Sequence, residues 1–310
     1  MNPLLRRLAL ALPTLLGVAT LVFLFIHLIP GDPVDVMLGE TAATVDRARL
    51  RSALGLDRPL RRQYASFLAD AARGDLGRSL HDGTPVTRLI LARLPATLVL
   101  AGTAAGFALL LAIPLGALSA RYHGRWLDTA ATGFALLGAS MPNFFLGPLL
   151  VLLFALRLGW LPVSGADSAS SVILPAVTLG LGMSAILTRL TRTAVLEALG
   201  SDFIRTARAK GLSENAIFFR HALRSALLSV TTVFGLQLGG LLGGAIITET
   251  IFAWPGIGRL TLQAIDGRDY PLVQGCVLVI ACGYVAASLL TDLACQRLDP
   301  RVCFGARHAR

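Results

Sequence analysis

The most chemically loaded stretch of the chain reads Asp202-Phe203-Ile204-Arg205-Thr206-Ala207-Arg208-Ala209-Lys210-Gly211-Leu212-Ser213-Glu214. Its charges offer ion pairs, and its small residues let a partner approach closely, so the chemistry it suits is docking rather than bond-making. The constellations of catalysis are missing. A phosphate-cradling loop of the form G-x-x-x-x-G-K-[ST] needs its lysine between glycine and a hydroxyl residue. Lys210 is the sole lysine, and it stands between Ala209 and Gly211. There is no H-E-x-x-H or G-x-S-x-G motif, and Asp292 stands alone near the end of the last apolar run. His27, His81, His123, His221 and His308 are scattered without metal-ligand spacing, as are Met37, Met141 and Met183. Cys276, Cys282, Cys295 and Cys303 all fall in the last apolar run or after it, so no disulfide framework is expected. Cys276 and Cys282 are also out of phase on a helix. The expectation is a chain with no catalytic residue, no metal site and no cofactor of its own.

The elements that carry this stretch are apolar. Hydrophobic residues make up 55% of the chain and charged ones only 15%, against about a quarter in soluble proteins. Mean hydropathy is +0.69. The net charge of +10 would suggest nucleic acid in a soluble protein, but here no nucleic-acid motif accompanies it and the basic residues flank apolar runs. Runs long enough to approach the roughly 20 residues a span requires occur at Leu8–Ile29, Ala96–Ala120, Thr129–Leu156, Ile173–Leu187, Ala226–Ile247 and Leu272–Ala294. The first exceeds the roughly 7–15-residue core of a signal peptide and lacks a small-x-small cleavage site, so it reads as a retained span. The third contains Pro142 and Pro148, which predict kinks. The fourth is short and extends through Arg189 if that side chain snorkels. Residues 31–95 are hydrophilic, with short amphipathic helices expected at Val45–Leu54 and Leu60–Ala72.

The fold expected is therefore all-α and polytopic, with six transmembrane helices. Among the short connections the basic residues gather on the side of the chain termini, at Arg6, Arg7, Arg121, Arg125 and throughout the segment from about 188 to 225. That bias puts both termini in the cytoplasm, because long loops such as 31–95 cross largely regardless of charge. The stretch around Lys210 then lies in the longest cytoplasmic loop. Phe203, Ala207 and Lys210 follow i, i+4, i+7 spacing, which predicts two short helices hinged at Gly211, a residue free to take positive φ.

Arg205-Thr206-Ala207-Arg208-Ala209-Lys210-Gly211-Leu212-Ser213-Glu214, followed by Arg220-His221-Ala222-Leu223-Arg224, resembles the coupling loop of binding-protein-dependent ABC importer permeases. Against the general family pattern Gly211 and Ala207 fit. Arg205 and Thr206 replace the glutamate and first alanine, and His221 and Arg224 replace an isoleucine and a proline. The stretch is closer to the dipeptide, oligopeptide, glutathione and nickel branch, in which a proline commonly stands where this chain has Ser229. Other landmarks of that branch occur in order: Leu28-Ile29-Pro30-Gly31-Asp32-Pro33, Gly55-Leu56-Asp57-Arg58-Pro59-Leu60, Gly74-Asp75-Leu76-Gly77-Arg78-Ser79, Thr250-Ile251-Phe252-Ala253-Trp254-Pro255-Gly256-Ile257-Gly258-Arg259, Arg268-Asp269-Tyr270-Pro271-Leu272-Val273-Gln274 and Leu298-Asp299-Pro300-Arg301.

The resemblance implies a type I ABC importer permease-like core in a bacterial inner (cytoplasmic) membrane. It also implies a homologous second permease, ABC ATPase subunits that use ATP and Mg, and an extracytoplasmic solute-binding protein. Residues 1–95 would hold the first span and an extracytoplasmic helical insertion, 96–303 a five-helix permease core with the coupling loop at about 188–225, and 304–310 a cytoplasmic tail. Arg205, Thr206, Ala207, Arg208, Ala209, Lys210, Gly211, Leu212 and Glu214 would contact the ATPase; their alternative is a solvated basic face obeying the charge bias. Gly239/Gly243 and Gly240/Gly244, with Gly235, are spaced for close helix packing, either within the chain or at a seam with the second permease. Asn143 and Gln237 would line the path or make interhelical hydrogen bonds. Glu249 and the turn after it would serve an outer gate or a binding-protein contact, with Trp254 alternatively an interfacial belt residue. Three substrate readings remain open, namely small peptides, glutathione and a nickel or metal chelate. A second class, an ion-coupled carrier or channel without an ATPase, predicts mid-membrane charges that these runs almost lack.

Overall fold

The structure, a computed structural model, describes residues 3–28 and 57–298, with side chains described over 9–24, 57–243 and 245–295. The helix expected at Val45–Leu54, the motifs around Pro30 and Asp299, the side chain of His27, Cys303, His308 and the tail lie outside those residues. Eleven α-helices in chain order carry the described chain: α1 Pro3–Leu28, α2 Leu60–Ala72, α3 Val86–Arg121, α4 Trp126–Ser140, α5 Asn143–Leu150, α6 Ile173–Leu199, α7 Asp202–Ala209, α8 Glu214–Ala216, α9 Leu223–Ile251, α10 Ile257–Asp266 and α11 Tyr270–Leu298. Wide π turns extend α5 over Val151–Arg157 and join α8 to α9 over Ile217–Ala222. No strand occurs among the described residues.

By length and composition, α3, α6 with its short lead-in from Ala169, the run from Glu214 into α9, and α11 can each cross a membrane. α1 is 26 residues long and apolar from Ala9 to Leu24. The run at Thr129–Leu156 is more than kinked: its halves meet at 106° across Met141-Pro142. Pro142 cannot donate to the preceding turn, and α4 ends with Met141 in an extended conformation. Whether this pair crosses or returns is settled by its neighbours. A Cβ on Gly180 of α6 would lie 2.6 Å from the carbonyl oxygen of Ala104 in α3, and one on Gly116 of α3 would lie 2.7 Å from that of Thr188 in α6. Residue numbers rise together along both helices, so α3 and α6 run in the same direction. A re-entrant pair between them would make them antiparallel, so α4 and α5 read as one broken span; with it, five spans among the described residues are long and apolar enough to cross, against the six expected, and α1, apolar only over Ala9–Leu24, is a shorter apolar helix. Small residues at these two crossings allow the backbones to approach.

Two expected boundaries move. α3 begins at Val86, because Arg88 and Arg93 interrupt the hydropathy but not the helix. α6 continues twelve residues past Leu187 to Leu199. Its polar residues Thr188 and Thr191 are buried, each hydroxyl donating back to a carbonyl one turn earlier at 2.7 Å. Trp254 is 5% exposed; Trp126 and Trp160, at 75% and 69%, are the tryptophans that present themselves outward.

The chain divides into two units, residues 1–97 with 255–283 and residues 98–254 with 284–310. In the first, Val86, Ile90, Ile257, Leu260, Ala264, Leu272 and Cys276 form a buried cluster. Asp269 precedes α11 and accepts from the Leu272 amide at 3.3 Å, satisfying one of the free N–H groups at the helix start. The same carboxylate accepts from the Ser79 hydroxyl at 2.5 Å and the Leu80 amide at 3.2 Å, pinning the Gly74–Pro85 turn. In the second unit α6 is central and packs on α4, α5 and α9. α9 and α11 pack antiparallel through glycines: a side chain at Gly235 would overlap Thr291, and one at Gly239 would lie 2.5 Å from the Tyr284 ring.

The close approach at Gly180 is testable. Gly180→Val would drive a branched side chain into the Ala104 carbonyl and should destabilise the protein by about 1–3 kcal/mol. Thermal unfolding of the detergent-purified chain should show a midpoint lower by at least about 3 °C; an unchanged midpoint would contradict the α3–α6 crossing.

Candidate functional site

α7 sits on an apolar platform. Ile204 has no exposed surface and Ala207 is 7% exposed, one helical turn apart on the same face. They join a cluster of Val195 and Ala198 from α6, Ile217, Phe218 and Ala222 from the π turn, Ala226 from α9, and Ala117 and Ala120 from the end of α3. Each large apolar side chain buried there is worth roughly 1.5–3 kcal/mol. The 8-residue helix has Asp202 in its first turn and Arg208 in its last, which suits the helix dipole at both ends. The buried stripe is Ile204/Ala207 rather than Phe203/Ala207/Lys210: Phe203 is 47% exposed and Lys210 is exposed.

The turn after α7 is a left-handed stop. Gly211 has φ of +77°, its N–H donates to the Arg208 carbonyl at 2.9 Å, and the Leu212 N–H reaches back to Ala207 at 3.3 Å. This is the Schellman arrangement, which favours glycine because it has no Cβ to clash. Ser213 then caps α8, its hydroxyl accepting from the Ala216 amide at 3.4 Å. Arg208 spans the turn and donates to both Glu214 oxygens, at 2.9 and 3.3 Å. That bond raises the Arg208 pKa above its ordinary value. Only the segment before Gly211 is a separate short helix. The segment after it runs from Glu214 without a break through the π turn into α9, so the hairpin is built directly onto a spanning helix.

Of the residues singled out from sequence, Arg205, Thr206, Arg208, Ala209, Lys210, Gly211, Leu212 and Glu214 are exposed together on this hairpin. Ala207 faces the platform. Arg205 pairs with Asp202 at 3.3 Å, and Lys210 has no ion-pair partner among the described residues. Sequence reasoning missed Arg121, which donates to Asn215 at 2.6 Å and lies 5.3 and 5.9 Å over the Phe218 and Phe219 rings. It also missed the bracing of the α3–α4 turn. Asp128, 6% exposed, accepts from Arg192 of α6 at 2.6 and 2.9 Å, from Ser119 at 2.6 Å and from the Gly124 amide at 2.9 Å, with His123 at 3.0 Å. Neither set left a local sequence signal, because the pairs that tie them to other helices, Arg121–Asn215 and Asp128–Arg192, are 94 and 64 positions apart.

The remaining candidates disperse. Asn143 is half-buried at the start of α5, and Gln237 is half-buried on α9. Glu249 is fully buried near the end of α9, where its carbonyl accepts from the Trp254 amide at 2.8 Å. Gly235 and Gly239 meet α11 within the chain, whereas Gly240 and Gly243 face open space. Gly244 lies on α9, and its surroundings are outside the described side chains.

Comparison with known proteins agrees with this architecture. The family model described as binding-protein-dependent transport system inner membrane component matches residues 112–303, and the model of the N-terminal part of that membrane component matches residues 1–101. The dipeptide transport system permease protein DppB of Escherichia coli (strain K12) is 42% identical over 330 residues, covering 96% of this chain and 97% of that protein. The glutathione transport system permease protein GsiC of Salmonella choleraesuis (strain SC-B67) is 41% identical over 302 residues, covering 97% and 99%. Among solved structures, a chain of the inward-facing MetNI methionine ABC transporter superposes with a TM-score of 0.58 at 17% identity, covering 68% of this chain and 96% of that one. At that identity the likeness speaks to fold alone.

If the platform holds α7, Ile204→Ala should loosen it. Removing that buried side chain costs about 2–5 kcal/mol. Amide hydrogen exchange in 202–209 should rise by at least tenfold while the α6 amides keep their protection; unaltered exchange in α7 would show that the cluster does not fix it.

Proposed function

The chain belongs to the binding-protein-dependent transport system inner membrane component family, and we propose that this permease subunit carries short peptides, of dipeptide or glutathione size, into the cell. The observation that carries the reading is the Arg205–Glu214 hairpin, exposed on its outer face and bonded to spanning helices on its inner face. Similarity to a dipeptide and to a glutathione permease over nearly the whole chain supports the substrate class. The family membership removes the carrier or channel working alone. No observation favours a nickel chelate over a peptide.

In this reading the hairpin lies in the cytoplasm and docks on an ATP-hydrolysing subunit, which binds ATP and Mg; this chain hydrolyses nothing. A second permease completes the pathway and a solute-binding protein delivers substrate from outside. Closure of the ATPase pair on nucleotide presses on α7. Because α7 is glued to α3, α6 and the start of α9, the push moves spanning helices rather than bending a loop. Interiors packed this tightly transmit strain instead of absorbing it. Arg205 and Lys210 supply the contact charge, and the Arg208–Glu214 bond keeps the turn in shape. Asn143, Gln237 and Glu249 are assigned to the path or its gate, and the open Gly240/Gly243 face suits the second permease.

Two experiments test this. Gly211→Val forces a β-branched residue into a left-handed conformation and reshapes the turn. In proteoliposomes with the ATPase and binding protein present, it should insert normally yet lose uptake of labelled dipeptide by tenfold or more; uptake at the wild-type rate would exclude the hairpin as the coupling element. Sidedness is read separately. With the four native cysteines replaced by serine, Lys210→Cys should react with an impermeant maleimide in inside-out vesicles and stay unlabelled in intact cells. The reverse pattern would place the hairpin outside.

A further inference from the structure

Beside the hairpin an open groove of about 440 Å³ is lined by Phe203 of α7, Arg220 and His221 of the π turn, and Arg224, Ser225, Leu227 and Leu228 of α9. That volume falls within the roughly 300–1,000 Å³ of small-molecule sites. No carboxylate lines it. Arg220 and Arg224 make no ion pair or hydrogen bond among the described residues, while the neighbouring carboxylates Asp202 and Glu214 are engaged by Arg205 and Arg208. The groove also has a polarity along its length. Its cations lie toward the start of α9, and its leucines lie one turn further on. Arg224 is the last cation before the apolar run that opens at Ala226. The groove therefore runs from a charged stretch of the helix into its apolar run, with positive charge at one end and aliphatic surface at the other.

We propose that this groove is a binding site for the phosphate-bearing headgroup of an anionic membrane lipid. The guanidinium groups of Arg220 and Arg224, one helical turn apart, take the phosphate oxygens, and Ser225 is placed to donate a hydroxyl. Leu227 and Leu228 lie along the first carbons of an acyl chain, and Phe203 closes the side toward α7. Paired unpartnered arginines match phosphate geometry and retain their charge at any cellular pH. Acidic segments of a soluble protein would satisfy the arginines but leave the leucines without a partner, so the lipid is the better match. A bound headgroup touches both α7 and α9 and so braces the hairpin against its helix. The inference rests on the cytoplasmic placement proposed above only for the leaflet from which the lipid comes.

The test uses the full-length permease purified in a neutral detergent and titrated with defined lipids under native mass spectrometry, without nucleotide or substrate. Phosphatidylglycerol should bind in preference to phosphatidylcholine. Arg220→Gln/Arg224→Gln should weaken the phosphatidylglycerol adduct by about tenfold or more. Arg220→Lys/Arg224→Lys should keep much of it, and Arg189→Gln, an exposed cation on α6, should change nothing. Equal binding of the two lipids, or undiminished phosphatidylglycerol binding by the double glutamine variant, would overturn the site. Displacement of the lipid by millimolar inorganic phosphate would make it a soluble-anion site instead. If the double glutamine variant keeps its lipid but no longer co-purifies with the ATPase, the groove is a protein dock and the lipid site is overturned. Since binding is read without transport, failure of the coupling or sidedness experiments leaves this outcome distinct.

Discussion

Burial of Ile204 and Ala207 against Val195, Ile217 and Phe218 is the contact on which the arrangement depends. Eight residues of helix carry too few hydrogen bonds to persist alone in water. Without an apolar floor, the segment between α6 and α9 would be a flexible basic loop, and force applied to it would be dissipated in bending. With the floor, its exposed face becomes the outer surface of a packed body that includes the ends of three long helices. The cation of Arg121, laid over Phe218 and Phe219 and bonded to Asn215, ties the edge of that body to the end of α3. The Asp128–Arg192 bond does the same for the next turn.

Within the apolar region, different physics holds the helices. Lipid tails compete with leucine on equal terms, so helix association relies on close backbone contact. Gly116 and Gly180 supply it between α3 and α6, and Gly235 and Gly239 supply it between α9 and α11. Hydroxyl side chains buried on α6 satisfy themselves against their own helix and ask nothing of a neighbour. Polar residues can thus occupy buried positions on a spanning helix without fixing its partner.

Much of the architecture was legible in the sequence, since apolar runs of the right length have few other uses. Gly211 was legible because a glycine between two helical patterns has a ready physical meaning, and its φ bears this out. Helix ends were less so. Arg88 and Arg93 broke the hydropathy at the start of α3, and the threonines and arginines of 188–193 did so at the end of α6, yet neither broke the helix. The 106° corner was underestimated, because a proline announces a bend and not its size. The Phe203/Ala207/Lys210 spacing announced the helix α7 but not its buried face, which is the smaller pair Ile204 and Ala207. Arg121–Asn215 and Asp128–Arg192 join residues 94 and 64 positions apart, and nothing local announces such pairs.

The π turn at Ile217–Ala222 has a consequence for how this gene can vary. Each residue of an α-helix turns the chain by about 100°, and a wide turn holds one residue more than an ordinary one. That turn can give up its extra residue and stay in register, but deleting a single codon from the regular helix that follows it, where no wide turn takes up the change, would swing the hairpin by about 100° around α9. The basic face would then point away from its present direction, although every side chain in it was retained. The regular helix between the wide turn and the span cannot change length without turning the hairpin, so that stretch is a fixed ruler in the reading frame.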